Sequence, residues 1–533
     1  MTSNRDERQD WRQMSLKEKV GQLFVCGFDG YEPTDGIRRL IKEYGLGGVI
    51  YFRRNLRDAE QVAALTAKLQ AEADVPLFVS IDQEGGMVVR LEEGVTVMPG
   101  SMALGAAGEP AWAYETARWS GAELRRIGVN MNFAPCLDVN NNPANPVIGV
   151  RSYGEDPKRV AALGVAAVRG YQESGVAAVA KHFPGHGDTA ADSHHELPVV
   201  PHGRDRLDAV ELLPFRAAIE AGVDAIMTAH VVFPAYEPDN VPATLSKRIL
   251  TGLLRERLGY DGVVVTDCLE MNAIAGTIGV ARGAVEAVKG GADLVLVSHR
   301  LDRQIAALEA VYEAVLAGEI PESRINEAAE RVRKLKLERG LFAASLPVNP
   351  DAAAAREVAR LASEAAVTVV KGAELLPLSR VSQVLSVWAE ARVGTEVIEV
   401  IAQERTVGAA LRDEGYAVEE VRVGLEPDAA ESAAALEWAE QADAIVFASY
   451  DAGFSRRQAD LIARLAALGK PLVLVATRTP YDLLEVPDVP AYVCTFENKP
   501  TMMTALAGVL SGRLPAKGRL PVTIGPFARQ ELA

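Results

Sequence analysis

Apolar and polar positions along this chain alternate between two periods. Runs of five to seven largely apolar residues, rich in Val, Ile, Leu and Ala, are separated by longer segments in which apolar residues recur every three or four positions. The first pattern is that of strands buried on both faces and the second that of amphipathic helices, so together they predict repeated βα units and a parallel sheet. Eight such runs lie in the first part of the chain, at residues 23–28, 48–52, 76–82, 129–135, 177–183, 225–230, 262–267 and 294–298. Helical stretches at 59–73, 109–127, 160–173, 212–221 and 302–317 separate most of them. Eight strands with intervening helices in this length predict an α/β fold of the (β/α)8 TIM-barrel type.

A helix around 324–339 runs into Gly340, and residues 342–350 then combine small side chains with two prolines, the composition of a connection. The α/β pattern restarts beyond it, with apolar runs at 367–370, 384–388, 444–448, 472–476 and 491–495 and helices such as 432–441 and 456–467. The expected organisation is a barrel domain over 1–341, a linker over 342–350 and a second α/β domain over 351–533 with an open, mainly parallel sheet. The turns after the second domain's strands lack a dinucleotide or phosphate-loop fingerprint, and no cofactor is expected.

Composition narrows the function. At 533 residues and 49% hydrophobic content the chain exceeds what one core organises, which agrees with two domains. Its formal charge of −16, without a long basic run, argues against nucleic acid and anionic membrane as partners. The polar first nineteen residues lack the apolar core of a secretory signal, and no uninterrupted apolar run reaches spanning length. Four widely spaced cysteines, Cys26, Cys136, Cys268 and Cys494, read as reduced, buried thiols and fit a cytoplasmic location.

Chemistry concentrates in one loop. Lys181-His182-Phe183-Pro184-Gly185-His186-Gly187-Asp188, followed by Asp192-Ser193-His194-His195, holds four of the seven histidines within fourteen residues. Pro and Gly prevent this stretch from being a helix with His182 and His186 on one face, so no zinc pair, and no metal, is predicted. Asp82, Lys181, His182, His230 and Asp267 all fall at or just past the C-terminal ends of apolar runs, where barrel enzymes place their catalytic groups.

Asp267 ends a run of β-branched residues and suits a covalent nucleophile at an anomeric carbon; it would equally suit a helix N-cap. Cys268 follows it without an assigned role. A second group must protonate the leaving oxygen, and Asp192 is near enough in sequence to orient the His194 imidazole for that purpose. His186 and His195 are weaker candidates. Asp82 and Arg90 could bind sugar hydroxyls or simply pair with one another, and Arg151, Lys181 and His182 add donors.

Together the 181–187 loop with Asp192-Ser193-His194, the 81–90 segment, Arg151-Ser152-Tyr153-Gly154, and Thr266-Asp267 with Glu270-Met271 resemble glycoside hydrolase family 3, specifically its β-N-acetylglucosaminidase branch. The second domain, ending in Gly518-Arg519-Leu520-Pro521-Val522, resembles the α/β-sandwich domain of the longer members. This resemblance implies that Asp267 is the nucleophile and His194, assisted by Asp192, the acid/base. It implies that Asp82, Arg90, Arg151, Lys181 and His182 bind the non-reducing sugar, without a metal. The implied activity is retaining removal of terminal β-linked N-acetylglucosamine from peptidoglycan fragments or chitooligosaccharides. The partner is then a small oligosaccharide or muropeptide. A phosphorylase using inorganic phosphate and the same residues is the alternative, followed by a β-glucosidase; oligomeric state and aglycone are left open.

Overall fold

The computed structural model describes residues 11–192, 197–343, 349–380, 383–391 and 405–530. All eight runs of the first part form strands: β1 (Phe24–Cys26), β2 (Gly48–Tyr51), β3 (Phe78–Ile81), β4 (Met131–Asn132), β5 (Ala177–Phe183), β6 (Ala225–Thr228), β7 (Val263–Val265) and β8 (Val295–Val297). They are parallel neighbours in the order β7-β6-β5-β4-β3-β2-β1-β8. A parallel bridge between Val265 and Leu294 joins the two ends, and the Leu296 amide donates to Thr266 Oγ1 at 3.0 Å across the same seam. The sheet is therefore closed into the expected barrel.

The helices begin where local chemistry satisfies their first amides. Asp156 accepts from the Lys158 and Arg159 amides ahead of Pro157–Glu173, and Pro157 occupies a first-turn position that needs no N–H. Thr34 and Asp58 cap Asp35–Tyr44 and Ala59–Glu72 in the same way.

The second unit is a six-stranded sheet of β9 (Thr368–Lys371), β10 (Gln383–Glu390), β11 (Ala417–Gly424), β12 (Ala444–Ser449), β13 (Leu472–Ala476) and β14 (Ala491–Cys494), ordered β11-β10-β12-β13-β14-β9. Every pairing is parallel except β14 with β9. β11 escaped the apolar pattern because it is an edge strand, where Glu419, Glu420 and Arg422 reach solvent and the apolar run is broken. Part of the expected linker, 344–348, lies outside the described residues. All four cysteines are buried and free. No described helix is long and apolar enough to cross a membrane.

The two units share a continuous apolar interface. Met87, Val88, Met102, Ala103, Ala106 and Val150 from the barrel side pack into the core of the second sheet. Polar contacts flank them: Lys499 Nζ to Glu92 Oε1 at 2.7 Å and Asn140 Nδ2 to the Tyr481 hydroxyl at 2.8 Å. Glu497, from just after β14, accepts from the Gly100 amide at 2.6 Å. A Cβ on Gly86, whose φ is +54°, would meet the same carboxylate at 2.6 Å, so the 82–90 segment and Glu497 are fitted to one another.

Burial pushes the Glu497 carboxyl up to about 7. An acid raised on folding binds a proton that the unfolded chain has already lost, so it subtracts stability as pH climbs from about 4.5 to about 7. Above that window the deficit is about 3 kcal/mol. Glu497→Gln is therefore expected to melt higher than the parent at pH 8 and level with it at pH 4, measured by calorimetry at both values.

Candidate active site

Alternation along the strands aims the polar groups. Phe78 on β3, Ala177 and Val179 on β5, and Val263 and Val265 on β7 belong to the cluster that fills the barrel. Side chains two apart share a face, so Asp82, Lys181 and Asp267 continue those inward rows to the C-terminal mouth. β3 and β7 stand four strands apart in the closed ring, which puts Asp82 and Asp267 on opposite walls.

On the β3–β5 wall the groups form one lattice. Lys181 Nζ lies 2.8 Å from Asp82 Oδ1 and 2.7 Å from Glu84 Oε1. Glu84 also takes a two-pronged contact from Arg151, Nε to Oε2 at 3.0 Å and Nη2 to Oε1 at 2.8 Å. Arg90 Nη2 stands 3.9 Å from Asp82 Oδ2. Burial works against charge at both Glu84 and Lys181, yet the neighbours win. Arg151 and Lys181 hold the Glu84 carboxyl well below the usual range, while Asp82 and Glu84 raise the Lys181 ammonium. Of the two carboxylates Asp82 is the more open, at 17% side-chain exposure.

The histidine loop is anchored from below by Asp138. Its carboxylate accepts from His182 Nδ1 at 2.7 Å, from the His182 amide at 3.2 Å and from the His186 amide at 2.6 Å. Because a carboxylate only accepts, the His182 proton sits on Nδ1, leaving Nε2 to receive Arg151 Nη2 at 3.4 Å. His186 turns aside to Thr189 Oγ1 at 2.8 Å, and burial and His182 lower its pKa to about 4. Gly187 is required by close approach: a Cβ there would lie 1.8 Å from the Val139 carbonyl oxygen. Asp138→Ala leaves these buried donors without an acceptor. A loss of about 3–5 kcal/mol in urea denaturation is expected.

On the facing wall Asp267 Oδ1 accepts from the Cys268 amide at 2.7 Å. It does not cap a helix, since the next one, Asn272–Ala275, is preceded by Met271. His230 supports the turn from behind: its Nε2 lies 2.9 Å from the Cys268 carbonyl oxygen and its Nδ1 2.8 Å from Thr244 Oγ1. Asp192 is half-buried in the loop, whereas His194 and His195 lie outside the described residues. A cleft of about 270 Å³ at the opposite end of the barrel, between Asp224, Tyr260 and Arg339, carries none of these groups.

The structure thus brings Asp82, Arg90, Arg151, Lys181 and His182 together and sets Asp267 across from them. Sequence reasoning passed over Glu84 and Asp138. Both follow apolar runs by a few residues, so the strand-end rule that selected Asp82 also reaches them; what it lacks is the knowledge that each binds two partners at once.

A closed barrel whose charged groups gather at its C-terminal mouth has the layout of a barrel enzyme. Residues 15–335 match the glycosyl hydrolase family 3 N-terminal domain and residues 305–531 its C-terminal domain, so the chain belongs to glycosyl hydrolase family 3. A solved glycoside hydrolase family 3 β-N-acetylglucosaminidase from Paenibacillus sp. str. FPU-7 is 51% identical, with a TM-score of 0.94 over 97% of this chain and 100% of that one. A β-N-acetylglucosaminidase/β-glucosidase of Cellulomonas fimi is 30% identical over 96% of this chain and 94% of its own. β-Hexosaminidase A of Pseudoalteromonas piscicida is 39% identical over 66% of this chain, which spans 63% of that protein's length.

Proposed function

We propose that this chain is an exo-acting, retaining β-N-acetylglucosaminidase that removes terminal β-linked N-acetylglucosamine from chitooligosaccharides or peptidoglycan fragments. Its catalytic domain is the barrel over 1–341, joined by a linker over 342–350 to the α/β sandwich over 351–533. The observation that carries the reading is the placement of Asp267 on the inward row of β7, across the mouth from the Asp82, Lys181, Glu84 and Arg151 lattice. A sugar bound to that lattice through Asp82, Arg90, Arg151, Lys181 and His182 presents its anomeric carbon to Asp267.

The mechanism follows from the charges. Asp267 attacks the anomeric carbon, the glycosidic C–O bond breaks, and His194 gives its proton to the departing oxygen; Asp192 stabilises the imidazolium before that transfer. The now neutral His194 then removes a proton from water, which attacks the glycosyl–aspartate and releases the sugar with its original β configuration. Glu84 fixes Lys181 and Arg151 so that their remaining donors meet hydroxyls without reorganising. Inorganic phosphate in place of water at the second step would make the same residues a phosphorylase, which product analysis separates from hydrolysis.

Product analysis on chitobiose and on an N-acetylglucosaminyl-anhydromuramyl fragment, with and without phosphate, tests the proposal. The expected product is free β-N-acetylglucosamine in either buffer, seen by NMR before it mutarotates. An α product at first appearance, or the sugar 1-phosphate, would refute retention by hydrolysis.

A further inference from the structure

Cys268 and Glu270 on the loop after β7, and His299 on the loop after β8, bring a thiol, a carboxylate oxygen and a ring nitrogen to within 4.8 Å of one another. The two loops are tied together before any ion arrives. The Leu269 amide donates to the Leu296 carbonyl at 2.9 Å, and Glu270 accepts from the His299 amide at 2.6 Å and the Arg300 amide at 3.2 Å. The His299 ring rests on Phe52, with centroids 5.2 Å apart. Arg303 Nη1 also stands 3.7 Å from Glu270 Oε1, so an ion would share this carboxylate with a guanidinium.

We propose that Cys268, Glu270 and His299 form a binding site for a thiophilic divalent cation such as Zn²⁺, and that its occupancy inhibits the glycosidase. Sulfur, imidazole and carboxylate are the donor set that Zn²⁺ and Co²⁺ take in preference to Mg²⁺ or Ca²⁺. A thiolate and a carboxylate together cancel the ion's charge. Binding forms the metal–sulfur bond and releases the Cys268 proton to solvent. The link to catalysis is the backbone: the Cys268 amide holds Asp267 Oδ1 at 2.7 Å and its carbonyl is held by His230. A dication one residue away draws the Asp267 carboxylate's electron density and shifts its angle, so the attacking oxygen is weakened. Only this inhibitory half rests on the function proposed above.

The test uses the full-length protein stripped of metal. Titrating Co²⁺ is expected to produce a near-ultraviolet thiolate-to-cobalt charge-transfer band that saturates at one equivalent and is erased by Zn²⁺. Cys268→Ser should abolish the band, and His299→Gln should weaken Co²⁺ binding by about 10-fold or more. In parallel, turnover of an aryl β-N-acetylglucosaminide is measured with and without Zn²⁺, each variant against its own metal-free rate. Zn²⁺ should slow the parent, a chelator should restore it, and both variants should resist. A missing band in the parent, or one that persists in Cys268→Ser and His299→Gln, overturns the site. A normal band with no effect of Zn²⁺ on turnover overturns the inhibition. Absence of any turnover would instead sink the proposed function, while the cobalt band still decides the site.

Discussion

Asp267→Ala lowers kcat/KM on an aryl β-N-acetylglucosaminide by about 10⁴-fold or more, the scale expected when a covalent nucleophile is removed. Its fold survives. Asp267 is only half-buried, and its hydrogen bond from the Cys268 amide contributes about 1 kcal/mol. Melting temperature should therefore shift by a few degrees at most, and a larger collapse would mean that the loss reports unfolding. Azide separates a nucleophile from a positioning residue. In the cavity left by the carboxylate an added azide attacks the same face of the sugar, so part of the rate should return with an α-glycosyl azide as product. Turnover that alanine leaves intact would remove Asp267 from the mechanism.

The second large effect belongs to Glu84, which the sequence did not single out. Glu84→Gln keeps the shape and removes the charge that Lys181 and Arg151 share. Lys181 is then left with Asp82 and Arg151 with the Val147 carbonyl oxygen, and a loss of about 3–5 kcal/mol is expected from urea denaturation. Because Lys181 and Arg151 lose their fixed angle toward the sugar, kcat/KM should fall by about 10²-fold. The pH dependence has a definite sign. A carboxyl depressed on folding contributes stability that is present above its ordinary value near 4.5 and is lost as pH falls through its lower native value, which here means strong acid. Parent and variant should therefore converge in stability only in strong acid, and stay apart from pH 5 upward. If stability falls while kcat and KM are untouched, the lattice is structural and does not hold the sugar.

The comparison of β7 with Glu84 shows where sequence reading stops. Val263, Val265 and Asp267 are consecutive members of one inward row, and the row is visible in the chain because strand side chains alternate with a period of two. The partners of Glu84 are Arg151, sixty-seven residues away, and Lys181 from β5, and no local pattern reports a contact of that kind. His194 and Asp192 were legible as a pair, but His194 lies outside the described residues, so their geometry rests on the proposal. The strand β11 was missed for a local reason: an edge strand with one solvated face carries charges that break the apolar run.

By itself the sequence determined the barrel, its eight strands, the second α/β unit and the three acids and bases that cap the inward rows, because burial and side-chain alternation are written in nearest neighbours. Only the tertiary structure decided that Glu84 couples Lys181 to Arg151, that Asp138 sets the His182 tautomer, and that Glu497 of the second unit fits against Gly86 and Gly100 behind the 82–90 segment. Those are relations between charges on different elements, and their strength depends on burial and distance, which exist only once the chain has closed on itself.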